Sequence, residues 1–182
     1  MKVIGVAGMP ASGKGEVSKI ARDLGIPVVV MGDAIRMRAA EAGLPATDAN
    51  LGAISGKLRS ELGMDAIARI TIPLIEAAAA PVVLVDGIRG DYEVATFREH
   101  FPDFVLIGIV SSFETRYARV AGRRRSDDTL TPEDLQVRDE RERGWGLERA
   151  LAQADQTVIN EGTLEEFTTE IRSLLRHPGG IE

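Results

Sequence analysis

Residues 8–15 read Gly-Met-Pro-Ala-Ser-Gly-Lys-Gly, and this spacing of glycines and lysine could bind phosphate. Glycines allow several backbone N–H groups to converge on an anion, and a lysine adds a full positive charge. The apolar run at 3–7 predicts a buried strand before the loop, and the apolar spacing after it predicts a helix that ends at Gly25. A strand, a glycine-rich turn and a helix N-terminus are the context that a phosphate-binding loop requires. The loop is therefore predicted to bind the phosphates of a nucleotide, with Lys14 beside the terminal ones.

The position after this lysine departs from the commonest form of such loops. Many of them carry a Ser or Thr there, whose hydroxyl binds Mg²⁺. This chain has Gly15, so Mg²⁺ is predicted to be held through water, with help from a carboxylate elsewhere. Glu16 could take part, or it could only complement the helix dipole as an acid in the first turn. The predicted nucleotide-binding residues are Gly8, Met9, Pro10, Ala11, Ser12, Gly13, Lys14, Gly15 and Glu16.

Two acid–arginine pairs each follow an apolar run that predicts a buried strand. Asp33 precedes Arg36 by three residues, and Asp86 precedes Arg89 by the same spacing. Because ligands bind at the carboxyl ends of parallel strands, both pairs are expected in one crevice beside the phosphate loop. Arginine binds phosphate through paired hydrogen bonds, and a carboxylate can orient the water around Mg²⁺. Asp33, Arg36 and Arg89 are thus predicted to bind substrate, and Asp86 to hold the metal through water. Asp33 could instead be only a helix N-cap, and the second pair could simply end a strand.

A third group of charges begins at residues 122–128, which read Gly-Arg-Arg-Arg-Ser-Asp-Asp. Phosphoryl transfer spreads negative charge over the moving group, and arginines on a mobile element can neutralise it. Arg123, Arg125 and the later Arg138 therefore join Lys14 as candidate catalytic residues. Any single one of these arginines could equally lie on a solvated helix face.

The helix predicted after this cluster is very charged. Its spacing of Asp134 with Arg138, and of Asp139 with Arg143, is typical of ion pairs on the surface of one helix. Trp145 lies between two glycines, and it could stack on a base or pack in the interior.

Composition excludes several classes of protein. The chain has 182 residues, a net charge of −6, 44% hydrophobic residues and no cysteine. This length suits one domain, and the acidic balance argues against a nucleic-acid partner. Without cysteine the chain forms no disulfide and no thiolate metal site. No apolar run is long enough to cross a bilayer, and the short N-terminal run is a strand rather than a signal peptide. A cytoplasmic monomer or homodimer without a membrane partner is expected.

Apolar runs without polar alternation predict strands of a parallel sheet that is covered on both faces. The runs lie at residues 3–7, 27–31, 81–86, 104–110 and 157–160. Helical patterns between them predict a three-layer α/β fold in one domain over residues 1–182. Capping boxes are predicted at Ser111 with Glu114 and at Thr163 with Glu166.

Two segments are too polar or too interrupted to be simple crossovers. Residues 33–80 are predicted to form a helical segment that binds the acceptor, and residues 122–146 to form a short lid. In the first of these, a helix over 64–78 is expected to be interrupted near Pro73. Three of its basic residues could approach a ligand or be solvated, namely Lys57, Arg59 and Arg69.

The loop and the two pairs resemble those of adenylate kinases and other nucleoside monophosphate kinases. Over residues 1–176 the chain is identified as a member of an archaeal family of adenylate-kinase-related P-loop proteins. The segments that carry the resemblance are Gly-Met-Pro-Ala-Ser-Gly-Lys-Gly, Val-Val-Met-Gly-Asp-Ala-Ile-Arg, Val-Asp-Gly-Ile-Arg, Gly-Arg-Arg-Arg-Ser-Asp-Asp and Val-Ile-Asn. The resemblance implies a P-loop NTPase fold of the nucleoside monophosphate kinase type, a reduced lid, an ATP site and use of Mg²⁺. Glu93 stands where adenylate kinases carry a glutamine that reads adenine, so the resemblance implies no base preference.

These observations predict a kinase that transfers the γ-phosphoryl group of ATP to a phosphate-bearing small molecule, in the first place an AMP-like nucleoside monophosphate. Two alternatives stay open. Residues 154–166 are similar to the ending of dephospho-coenzyme A kinases, whose hydroxyl acceptor would need a base such as Asp33. A nucleotide-dependent switch or assembly factor with little turnover would also fit the reduced lid.

Overall fold

A parallel sheet forms the centre of the protein, which we describe from a computed structural model for residues 1–122 and 131–176. The strands in these residues are β1 Lys2–Gly8, β2 Val28–Val30, β3 Val82–Ile88, β4 Phe104–Val110 and β5 Gln156–Ile159. Their order across the sheet is β2-β3-β1-β4-β5, and every neighbouring pair is parallel. This confirms the predicted α/β fold with a five-stranded parallel sheet.

Helices cover both faces of this sheet. The described helices are α1 Lys14–Asp23, α2 Met31–Glu41, α3 Asp48–Leu62, α4 Ala66–Ala77, α5 Asp91–His100, α6 Phe113–Ala121, α7 Pro132–Gly144, α8 Leu147–Leu151 and α9 Leu164–Arg176. Successive side chains of a strand point to opposite faces. Val3 accordingly packs in a core with α2, α4, α5 and α8, and Ile4 packs in a second core with α1 and α9. The predicted three layers are confirmed.

The strands next to the phosphate loop end differently from the prediction. β2 stops at Val30 because Met31 already begins α2. β3 continues past Asp86 to Ile88, so the acid lies inside the strand rather than at its end. Gly87 has a φ of 102°, a left-handed conformation that glycine adopts without strain, and the pairing register with β1 shifts at this point.

One predicted helix cap is wrong. The N-cap of α6 is Ser112, whose Oγ accepts a hydrogen bond from the Thr115 backbone N–H at 3.2 Å. The Oγ of Ser111 instead donates to the backbone oxygen of Asn160 at 2.8 Å. A tertiary partner therefore replaces the local pairing with Glu114 that the spacing suggested.

Of the two other local predictions, one is confirmed and one is wrong. The capping box at the start of α9 is confirmed, because the Thr163 N–H donates to Glu166 Oε2 at 2.8 Å and the Glu166 N–H donates to Thr163 Oγ1 at 3.2 Å. The interruption expected at Pro73 is wrong, because α4 continues through this exposed residue. The buried apolar stripe of α4 stabilises the helix despite the lost backbone hydrogen bond.

This topology places the phosphate loop beside the longest connection. β1 lies between β3 and β4, and the segment from β2 to β3 contributes α2, α3 and α4. Ligands of such sheets bind at the carboxyl ends of the strands. None of the described helices combines the length and the apolar character that crossing a membrane requires.

The sheet centre should not tolerate a side chain at Gly5. An added Cβ there would lie 2.5 Å from Ile88 Cδ1 and 2.6 Å from Phe104 Cζ. We expect Gly5→Ala to lower the free energy of unfolding by about 1–3 kcal/mol, as overpacked cores do. Urea denaturation followed by circular dichroism measures this.

Gly56→Ala is the matched control for this change. Gly56 lies inside α3, and a Cβ there would meet no atom within 4 Å. The substitution should raise the free energy of unfolding by about 0.5–1 kcal/mol, because alanine restricts the unfolded chain more than glycine does. Equal effects of the two substitutions would contradict the packing described here.

Candidate functional site

The loop between β1 and α1 needs small residues at two of its glycine positions. A Cβ on Gly8 would lie 2.5 Å from Ser12 Oγ and 2.7 Å from the backbone oxygen of Ile109. Gly13 has a φ of 118°, which other residues rarely adopt, and it forms the N-cap of α1. A glycine is therefore needed at Gly8 because neighbouring atoms lie too close for a side chain, and at Gly13 because of its backbone conformation.

The back of the loop is held by hydrogen bonds from two side chains. The backbone oxygen of Ser12 accepts from Asn160 Nδ2 at 2.9 Å and from Arg119 Nη1 at 3.2 Å. These donors come from the end of β5 and from α6. The loop is thus positioned before any ligand binds.

A buried ion pair supports the loop from α6. Arg116 Nη1 donates to the backbone oxygen of Pro10 at 3.1 Å, and its guanidinium forms two hydrogen bonds of 2.6 and 2.8 Å with Asp139 of α7. The predicted surface pair of Asp139 with Arg143 is wrong, because Arg143 binds Glu148 at 2.7 Å instead. Asp139 instead pairs with Arg116, whose buried guanidinium would otherwise have no charged partner.

The front of the loop presents donors for an anion. Within the described residues, the backbone amides of Ala11, Gly13, Lys14 and Gly15 donate to no backbone oxygen. The first amides of a helix lack partners inside it, and together with the helix dipole they attract phosphate. This is the arrangement that the loop pattern predicts.

Lys14 folds back onto the loop that precedes it. Its Nζ donates to the backbone oxygens of Gly8 at 2.5 Å and Met9 at 2.9 Å. Burial lowers the pKa of Lys14 to about 8, although the negative charges of Glu142 and Asp86 oppose this shift. The ammonium therefore lies next to the free amides and titrates close to neutral pH.

A crevice of about 370 Å³ opens in front of the loop. Its lining includes Pro10, Ala11, Gly13, Lys14, Gly15, Ser18, Asp33, Arg36, Asp86, Arg89, Arg138 and Glu142. The structure thus brings both predicted acid–arginine pairs to the loop. Asp33 is not the N-cap of α2, which is Val30, and its Oδ1 binds Arg36 Nη1 at 3.0 Å.

Other predicted residues lie elsewhere. Gly8, Met9, Ser12 and Glu16 do not line the crevice, and the carboxylate of Glu16 binds Lys19 of the same helix at 3.3 Å. The predicted catalytic residues Arg123 and Arg125 lie outside the residues that the structure describes.

Asp86 fits the magnesium role expected of it. Its Oδ2 accepts a hydrogen bond of 2.7 Å from Ser18 Oγ, and both residues line the crevice with Lys14. The described residues contain no group of three acids, histidines or cysteines that could enclose a metal ion. Mg²⁺ commonly keeps several waters and is bound by one or two carboxylates together with substrate phosphates. One carboxylate beside a phosphate loop suits that mode.

Glu142 places a negative charge among the cations of the crevice. The residue is 2% exposed, and its Oε1 lies 3.0 Å from Arg89 Nη1 and 3.3 Å from Arg138 Nε. Burial alone would raise its pKa, but Arg89, Arg138 and Lys14 hold it below the usual value. A buried carboxylate therefore occupies a site where cations converge.

A second, narrower cavity of about 40 Å³ adjoins this crevice. Apolar residues line one part of it, namely Met31, Ile35, Leu51 and Ile67. Its charged lining comprises Arg36, Asp48, Arg59, Arg89, Arg138 and Arg141. Asp48 of α3 binds Arg141 through two hydrogen bonds of 2.8 and 2.9 Å and lies 3.3 Å from Arg138. The predicted pairing of Arg138 with Asp134 is therefore wrong, since the partners of this arginine include Asp48 across the cavity and Glu142 of its own helix.

Arg59 forms the inner wall of the second cavity. It is 4% exposed, which excludes the solvated alternative, and its Nη2 binds Glu93 Oε1 at 2.6 Å. The other carboxylate oxygen of Glu93 accepts the Arg89 backbone N–H at 2.7 Å. Trp145 stacks against the Arg59 guanidinium, whose Cζ lies 4.2 Å from the ring centroid. Trp145 thus positions an arginine and does not line either cavity.

Sequence reasoning missed several residues of this site. They are Ser18, Asp48, Arg116, Arg119 and Glu142. Their partners are far away in the sequence, so spacing along one element could not identify them. The sequence signal for some of them was the excess of arginines and acids in α7, but ion pairs within that one helix would also explain this excess.

Comparison with known proteins identifies the family of this chain. Residues 7–136 match the family described as AAA domain. The UPF0200 protein of Methanoculleus marisnigri is 76% identical over the full length of both chains. The predicted membership in an archaeal P-loop family is confirmed.

Two solved kinases share the fold. The gluconokinase of Sinorhizobium meliloti has a TM-score of 0.57 and 19% identity, over 97% of this chain and 93% of that one. The shikimate kinase of Aquifex aeolicus has a TM-score of 0.53 and 20% identity, over 98% of this chain and 99% of that one. The chain therefore belongs to the UPF0200 family of archaeal proteins and has a P-loop kinase-like fold.

Proposed function

We propose that this protein is a small-molecule kinase that transfers the γ-phosphoryl group of ATP to a phosphate-bearing acceptor, an AMP-like nucleoside monophosphate. One observation carries the proposal: the free amides and Lys14 of the loop line a crevice that adjoins a second cavity, whose walls hold five arginines. Two anions bound in these neighbouring sites would meet end to end. The fold that the chain shares with gluconokinase and shikimate kinase supports the same class of reaction.

The donor half of the site would be built by the loop. Its amides and the Lys14 ammonium bind the terminal phosphates of ATP and neutralise their charge. Asp86 would hold Mg²⁺ through water, and the ion would supply neutralisation of the phosphate charge. Because two side-chain donors hold the Ser12 carbonyl from behind, these groups need little reorganisation when ATP binds.

The acceptor half would lie between α2, α3 and the second half of α7. Arg36 and Arg89 line both cavities, so they can bind an acceptor phosphate where the two sites meet. The apolar residues of the narrow cavity would contact the nucleoside. Since that cavity measures only about 40 Å³, the side chains around it must move apart to admit a base.

The chemistry requires alignment more than a strong base. An oxygen of the acceptor phosphate attacks the γ-phosphorus, and the bond from this phosphorus to the β–γ bridging oxygen breaks. ADP and a diphosphate of the acceptor result. The attacking oxygen is already an anion, so positioning and charge neutralisation dominate. Lys14, Arg138 and the predicted Arg123 and Arg125 would stabilise the charge on the transferring group.

One observation favours a second candidate function, a nucleotide-dependent switch with little turnover. All five arginines of the narrow cavity already form ion pairs with acids of the protein, such as Asp48, Glu93 or Glu142. An incoming anion must displace some of these carboxylates, which could move α7 without phosphoryl transfer. ATP turnover in the presence of the acceptor separates the two functions.

The kinase proposal predicts a diphosphate product and two acceptor-binding arginines. Purified protein incubated with Mg²⁺, ATP and each common nucleoside monophosphate, or dephospho-coenzyme A, should phosphorylate at least one monophosphate. Arg36→Ala and Arg89→Ala should each raise the KM for that acceptor by about tenfold, the usual loss for a charged hydrogen bond. The KM for ATP should change much less. Chromatography of the nucleotides measures both.

Arg38→Ala provides the control for these variants. Arg38 lies on the same helix as Arg36, but it is exposed and pairs with Glu41 at 3.2 Å. Its removal should leave both KM values unchanged. Failure to form a phosphorylated product with any monophosphate would refute the proposal, and a product from dephospho-coenzyme A alone would favour the hydroxyl-acceptor alternative.

The lowered pKa of Lys14 predicts that ATP affinity depends on pH. The free lysine loses its proton as pH rises through about 8, whereas bound phosphate favours the protonated form. The Kd for ATP should therefore increase on the order of tenfold between pH 7.5 and 9.5. Isothermal titration calorimetry at several pH values gives this profile.

Two variants test the assignment of this profile. Lys14→Met should bind ATP weakly and without this pH dependence. Lys19→Met should keep the wild-type profile, because Lys19 is exposed and pairs with Glu16. A wild-type affinity that stays constant over the range would contradict the role given to Lys14.

A further inference from the structure

Helix α1 contains a buried hydroxyl whose hydrogen bond leaves the helix. Ser18 lies one turn after Lys14 and is 3% exposed. A serine inside a helix commonly bonds to the backbone oxygen of the preceding turn. Ser18 Oγ instead donates to Asp86 Oδ2 at 2.7 Å, across to β3 and 68 residues away in the chain. The hydroxyl therefore fixes the carboxylate that faces the phosphate crevice.

The neighbouring positions offer no other hydroxyl for this purpose. Gly15 lines the crevice without a side chain, at the position where many phosphate loops carry a Ser or Thr that binds Mg²⁺. Glu16 does not line the crevice, and its carboxylate pairs with Lys19. Among the described loop and α1 residues that line the crevice, Ser18 is the one that contacts Asp86.

We propose that Ser18 takes over the function of the hydroxyl missing at Gly15, as a positioning residue that holds Asp86 toward the magnesium ion of bound ATP. The inference rests on the ATP site proposed above. With Oδ2 bound to the serine hydroxyl, the carboxylate has one fixed orientation. Oδ1 accepts no hydrogen bond within the described residues, so it can accept one from a water molecule of the ion.

The expected magnitude follows from similar contacts in other metal sites. Groups that orient a metal-binding carboxylate or imidazole commonly change metal affinity by about 10- to 100-fold. Loss of the Ser18 hydroxyl should leave the loop amides and Lys14 intact, since none of their described contacts involves it. Binding of metal-free ATP should therefore persist, and only the gain from Mg²⁺ should fall.

Calorimetry with ATP in EDTA and in excess Mg²⁺ tests this inference. The Kd in EDTA divided by the Kd in excess Mg²⁺ measures how strongly Mg²⁺ favours ATP binding. Ser18→Ala should reduce this ratio by about tenfold and leave the Kd in EDTA within about twofold. Ser60→Ala, which removes an exposed helical hydroxyl that bonds locally to Lys57, should change neither value.

A double-mutant cycle separates positioning from a structural effect. If Ser18 acts through Asp86, Ser18→Ala should cause no further loss of the ratio in an Asp86→Asn background. A further loss as large as in the wild type would overturn the inference, and so would an unchanged ratio in Ser18→Ala alone. Absence of ATP binding by the wild type in both conditions would refute the ATP site itself and the inference with it. Ligand-free thermal denaturation of each variant confirms that it is folded.

Discussion

The site depends on backbone amides that must stay unpaired and yet stay in place. Unpaired amides next to a helix N-terminus attract an anion, but a loop that keeps them free has few hydrogen bonds of its own. In this protein, side chains that lie behind the loop hold its backbone in place. The Ser12 carbonyl accepts hydrogen bonds from two side chains, and Arg116 binds the Pro10 carbonyl while Asp139 neutralises the charge of this arginine. The loop sequence indicates that a phosphate site exists. The shape of that site, however, depends on residues from α6, α7 and the end of β5.

Charge balance is the second constraint on the crevice. The arginines that gather here would repel one another without partners, and burial would make each unpaired charge costly. Acids from three helices offset this: Asp48 from α3, Glu93 from α5 and Glu142 from α7. Under the proposed function, these carboxylates would compete with an incoming anion, and binding of the acceptor would exchange ion-pair partners. Such an exchange would link the narrow cavity to the position of α7.

The sequence predicted much of the fold and the outline of the site. The strands, their parallel orientation and the meeting of Asp33, Arg36, Asp86 and Arg89 followed from apolar runs and from one topological rule. Predictions based on spacing within a helix failed more often. The pair expected between Arg138 and Asp134 does not form, because Arg138 instead binds Glu142 of the same helix and Asp48 of α3. Side-chain ion pairs at a surface contribute little, so tertiary partners easily override them.

What the sequence by itself determined was the phosphate loop, because its glycines and lysine act through local backbone conformation and charge. Only the tertiary structure decided that Ser18 holds Asp86, and that Arg59, 34 residues from Glu93, becomes a buried cavity wall. These contacts join elements from distant parts of the chain, and their energy comes from burial and from pairing of charges that no short segment contains. Local patterns identify which groups can do chemistry, whereas packing selects their partners.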